Sequence, residues 1–253
     1  MFSKPTCPVP DGDRAWIIDR ARWLREQYGD AVLASVETIV PSRQYFADRY
    51  DASLGAIEDL FQRTCRYMRV DQERIRIGFY RDRSSWMAGM AHLILEGTKA
   101  GAGGCFLGQD DDGKLLIGIA EDQVSDAAAL VAVLAHELAH VHLLGDRRLA
   151  GTEPDHEHVT DLLTVALGLG VFTATACFQF RQWRQGGWQG WTAKRLGYLT
   201  EEQFGYALAL FAWLRSEKKP KWAAQYLPEG VYAFFKASER HLDTYPPPGW
   251  ARL

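Results

Sequence analysis

DAAALVAVLAHELAHVHLLG, residues 126–145, is the stretch that decides the fold. Its apolar residues run round the whole helical circumference instead of forming one stripe, so it reads as a buried helix from about Asp126 to Leu144. Asp122 or Ser125 would cap its start, and Gly145 would stop it. Just upstream, CFLG at 105–108 and KLLIGIA at 114–120 flank the turn-rich QDDDG, which predicts a β-hairpin. A buried helix that follows a hairpin covers one face of its sheet. The expected class is therefore α+β, mostly helical, with a small β-sheet packed on this helix.

Working outward, residues 12–28 place Trp16, Ile17, Ile18, Trp23 and Leu24 among charges, as an amphipathic helix does. Pro41 interrupts the next stretch. Residues 53–68 predict a second helix and RIRIGFY at 74–80 a strand, while the glycines of 99–104 mark a loop. Downstream, Pro154 suits a first helical turn, and that helix is expected to continue to about Phe180. RQWRQGGWQGW at 181–191 reads as a loop whose Trp183, Trp188 and Trp191 pack or line a groove; two helices, about 200–217 and 221–242, lie on either side of Pro220. Three regions result: 1–98, helical with a short strand; 99–180, the core; and 181–253, loop and helices packed on the same domain.

The 253 residues are 47% apolar and 24% charged, which excludes disordered and fibrous classes. Lys and Arg total 29 against 32 Asp and Glu, a net charge of −3, so no nucleic-acid partner is expected. Four scattered cysteines without a CxxC pair, and an N-terminus without an apolar signal core, favour a reducing cytoplasm. Residues 162–180 carry no charge and reach the lower limit for a membrane span. Their threonines and glycines, and the carboxylate directly upstream, make a buried helix the reading adopted, with no membrane expected.

The chemistry concentrates in HELAH, 136–140. On a helix His136 and His140 lie one turn apart on the same face, where two imidazole nitrogens can converge on one tetrahedral zinc. Glu137 then sits beside the metal without binding it, as a carboxylate must if it is to take a proton from a metal-activated water. Without a metal, three such side chains on an apolar helix would be costly. A hydrolytic zinc needs a third protein ligand and one open position. Glu157, with Asp161 four residues later on the same helical face, supplies the candidate.

HExxH followed by a helix bearing ExxxD resembles the gluzincin branch of the zincin metallopeptidases. The resemblance covers about 110–180 and implies a zincin-like core with one Zn2+ per chain. It implies His136, His140 and Glu157 as zinc ligands, Glu137 as general base, and Asp161 as the carboxylate that orients a ligand imidazole. His156 and Thr160 stand where gluzincins often have asparagine and a small residue, and the motifs are closely spaced, which points to a compact, minimal form. The metzincin pattern is not met, because Leu143 and Asp146 occupy its glycine and third-histidine positions. GTEPD at 151–155 resembles an element of the aspzincins and offers Asp155 as an alternative third ligand.

His142 faces elsewhere on the helix and reads as structural, while His156 and His158 read as solvated residues of a helix start. Tyr198, Tyr206 and His158 are the candidates for stabilising an oxyanion. The expected function is hydrolysis of peptide bonds in a peptide or protein substrate. A zinc hydrolase of non-peptide amides and a zincin-fold binding or regulatory protein stand as alternatives, and the sequence leaves the oligomeric state open.

Overall fold

The computed structural model describes residues 5–47, 49–81, 103–185 and 198–253, with side chains of 178–185 left aside. The chain is α+β and mostly helical, as expected, and its described residues include a small mixed sheet. Helix α1 spans Asp11–Tyr28 and is followed by a short α2, Asp30–Ala34. Helix α3, Leu54–Met68, starts where Ser53 Oγ accepts the Ala56 N–H at 3.3 Å. It buries Ile57, Leu60, Phe61, Thr64, Cys65 and Met68, residues at helical spacing.

Strand β1 is Ile75–Tyr80, and the hairpin pairs β2, Gly104–Gln109, with β3, Leu115–Ala120. The order is β1-β3-β2, with β3 parallel to β1 and antiparallel to β2. Every residue of β3, the central strand, is buried. Asp110 closes the hairpin turn: its backbone N–H donates to Lys114 O, and its side chain accepts from the Asp112 and Lys114 amides.

Helix α4, Ala127–His140, carries HELAH and packs on β2, β3 and α3. Its cap is Asp126, whose Oδ1 accepts the Ala128 and Ala129 N–H groups at 2.8 and 3.2 Å. The expected caps Asp122 and Ser125 lie instead in a 3-10 turn, Glu121–Ser125. Beyond His140 the helix widens into a π turn, Val141–Gly145, in which Asp146 N donates to Val141 O.

The single helix expected from Pro154 to Phe180 is two. Helix α5 spans His156–Ala166 and α6 spans Gly170–Gln185. Gly168 ends α5 at φ +91°, with its own N–H on Val165 O and the Leu169 N–H on Thr164 O, a glycine C-terminal stop. The segment before α3 crosses there: Ile39 N donates to Gly168 O, and a Cβ on Gly168 would lie 2.2 Å from Glu37 O. Gly168→Ala meets both a left-handed backbone and a backbone clash, so it should cost about 1–3 kcal/mol of stability. Thermal unfolding checks this, and an unchanged melting temperature contradicts it.

Residues 181–185 prolong α6, where the sequence predicts a loop from 181; the rest of that loop, Trp188 and Trp191, and the Trp183 side chain lie outside the described residues. Helix α7, Glu201–Leu214, opens on a Thr200/Gln203 capping box. The expected helix 221–242 is divided into α8, Lys221–Tyr226, and α9, Glu229–Thr244, because Pro228 forces Leu227 into an extended conformation. One buried apolar cluster runs from Val9 to Leu242 and draws on all three regions of the chain. Among the described residues, Ala127–Gly145 is long and apolar enough to cross a membrane, and 78% of its most apolar window is buried inside the protein.

Candidate metal centre

The site forms where α5 lies against the HELAH face of α4. The rings of His136 and His140 stand edge to face, centroids 4.9 Å apart. Helix α5 begins at His156 rather than at Pro154, with Asp155 in the cap position, so Glu157 falls in its first turn and enters the gap between the imidazoles. Glu157 Oε2 is 3.3 Å from His136 Nε2 and 3.3 Å from His140 Nε2. The three side chains are only 14%, 6% and 5% exposed, and among the described residues neither Glu157 oxygen has a hydrogen bond of sound geometry. The donor atoms all lie within 4.8 Å of one another, so the group could hold a metal ion.

The charges of the group are coupled to one another. Burial alone would raise the Glu157 carboxyl, but the two imidazoles hold it well below the carboxylate range. Burial likewise opposes a proton on His136, yet Asp161 and Glu157 raise that ring well above the usual histidine value, while burial lowers His140. Positive charge is thus favoured between the carboxylates.

Each imidazole is held from behind. Asp161 Oδ1 accepts the His136 Nδ1–H at 2.9 Å, which turns Nε2 toward Glu157. Asp161 Oδ2 accepts the backbone N–H groups of Tyr198 and Leu199, the latter at 3.0 Å. Thr160 Oγ1 donates to His156 O at 2.8 Å and turns its lone pair to His140 Nδ1 at 3.4 Å. Phe106 of β2 stacks on the His140 ring, centroids 6.4 Å apart. Asparagine at 161 can accept from His136 with its one oxygen only by turning its NH2 toward two N–H donors. Asp161→Asn should therefore weaken metal affinity about 10- to 100-fold without abolishing it. Chelator competition measures this, and an effect no larger than that of a surface substitution contradicts it.

The other candidates divide. The Asp155 carboxylate stays outside the group: it accepts two hydrogen bonds from Arg20 and one from Trp16 Nε1, all at 2.7 Å. Tyr198 stacks on His136 at 6.0 Å; burial, then the nearby Glu157 charge, keeps its hydroxyl protonated far above the usual phenol range. Tyr206 is a core residue of α7 with Cys7 and Arg14 as its ionisable neighbours, so of the oxyanion candidates it is the one that packs in the core. His158 is half-buried between the Trp16 and Tyr198 rings. His142 is structural, as expected, with Nε2 on Met68 O at 2.7 Å.

His156 is not a solvated helix-start residue. It is buried, its Nδ1 donates to Glu153 O, and its Nε2 lies 3.5 Å from Glu157 Oε1. Sequence reasoning missed Thr160 as a partner of His140, although its place three residues after Glu157 and four after His156 puts it on the same helical face. Glu137 is buried beside His136, with its side chain under the first residue of β2. Comparison with protein-family models, with curated proteins and with solved structures gave no match.

Proposed function

We propose that this chain is a zinc-dependent peptidase of gluzincin type. The observation that carries the reading is the pair of 3.3 Å approaches of His136 Nε2 and His140 Nε2 to the same Glu157 oxygen. A tetrahedron's edge is about 1.6 times its centre-to-vertex distance, so zinc bonds of about 2.0–2.1 Å put neighbouring donors about 3.3 Å apart. Two imidazoles and one carboxylate also form the donor set of a hydrolytic zinc that keeps one position open.

Bound zinc would supply a Lewis acid that polarises the scissile carbonyl and brings the acidity of a water toward neutrality. The chain's own residues do the rest. Glu137 takes the proton of the attacking water and, as the C–N bond breaks, delivers it to the leaving nitrogen. Asp161 and Thr160 fix the tautomers of His136 and His140 so that both Nε2 lone pairs stay available. Tyr198, protonated and stacked on His136, is the donor among the described residues assigned to the developing oxyanion.

The test is turnover of a peptide library and a panel of small non-peptide amides by the zinc-loaded protein, with Glu137→Gln as control. Glu137-dependent peptide cleavage is expected. Cleavage confined to non-peptide amides replaces the substrate class, and zinc binding without any turnover replaces the enzyme with a binding or regulatory protein.

A further inference from the structure

We propose that Gly104 is a positioning residue for Glu137, because the side chain it lacks is the space in which the carboxylate sits. The inference rests on reading Glu137 as the base. Residues 104 and 106 share the face of β2 that meets α4, by the two-residue period of a strand. Phe106 uses that face to stack on His140. At 104 an added Cβ would fall 2.7 Å from Glu137 Oε1, 2.9 Å from Glu137 Cγ and 2.7 Å from Val133 Cγ1. Val133 and Glu137 are one turn apart, so both belong to the face of α4 under β2.

Backbone conformation does not require this glycine. The described glycines with positive φ are Gly29, Gly108, Gly113, Gly168 and Gly249, and Gly104 is not among them. What remains is the close approach. Glu137 is 2% exposed, so a carboxylate displaced by a new methyl group has no solvent to retreat into and must shift within the packed site. The three nearest atoms to a Cβ at 104 belong to Glu137 and Val133, not to the proposed ligands His136, His140 and Glu157. A methyl there should therefore disturb proton transfer and spare the metal.

The test is Gly104→Ala, made alone and with Val133→Ala to relieve the second overlap. Zinc should stay near one equivalent in both, while kcat falls at least tenfold and KM changes little. Thermal unfolding of the zinc-loaded proteins gives a readout independent of turnover. Gly104→Ala should lower the melting temperature by a few degrees in the Val133→Ala background, and by much less when Glu137→Ala is also present, because the overlapping side chain is then gone. If that coupling is found but wild-type protein shows no Glu137-dependent turnover, the steric placement stands and the peptidase reading fails. If Gly104→Ala matches wild type in kcat and shows no coupling, or if zinc is lost in step with activity, the positioning role is overturned.

Discussion

Glu137→Gln should retain about one equivalent of zinc while hydrolysis falls by about 10²- to 10⁴-fold, the range a positioned general base supplies. Glutamine keeps the size of the side chain, so packing under Gly104 and the fold of α4 stay as they are. It cannot take a proton from the attacking water. Glu137 also lies outside the donor group of His136, His140 and Glu157, so the metal has no reason to leave. Zinc content and initial rates on the same preparation check both halves. Loss of zinc in this variant would make Glu137 a ligand and reverse the division of roles along HELAH.

His140→Ala should act in the opposite way, on the metal first. It removes one of three donors and leaves the buried Glu157 charge beside His136 and His156 alone. A metal that binds only the folded chain stabilises it by mass action, about 2.7 kcal/mol when free metal is a hundredfold above its dissociation constant. Losing it should lower the melting temperature by about 5–10 °C for a domain of this size. The variant should then unfold like chelator-treated wild type and should not respond to added chelator itself. A His140→Ala protein that keeps stoichiometric zinc removes this residue from the ligand set.

What the sequence made legible was periodic and local. HELAH lay in a stretch apolar all round, and the one-turn spacing of its histidines is a property of any helix, so their convergence followed before any tertiary contact was known. Glu157 and Asp161 were found by the same spacing, and Asp161 does pair with His136. The hairpin was marked by its own turn residues, and the structure pairs those strands antiparallel.

What stayed hidden depends on segments distant along the chain. The stretch 162–180 has no charge or proline to punctuate it, and its break at Gly168 exists because Glu37 and Ile39 pass against that point. The break at Pro228, by contrast, has a local cause, the proline itself. Asp155 looked like a metal carboxylate from its position, but Arg20 and Trp16, some 135 residues away, claim it. Gly104 stood in a glycine-rich run and read as part of a loop, whereas its glycine matters for the carboxylate that lies beneath the strand.

The choice of third ligand is where local sequence gave two answers and geometry one. Glu157 reaches both imidazoles, while Asp155, two residues earlier, faces α1. Zinc retention under mild chelation, measured on wild type, Glu157→Ala and Asp155→Ala side by side, tests that arrangement directly. Wild type and Asp155→Ala should hold about one equivalent through the treatment, and Glu157→Ala should lose its zinc fastest. Rapid loss from Asp155→Ala with retention in Glu157→Ala would contradict a metal centre built on His136, His140 and Glu157.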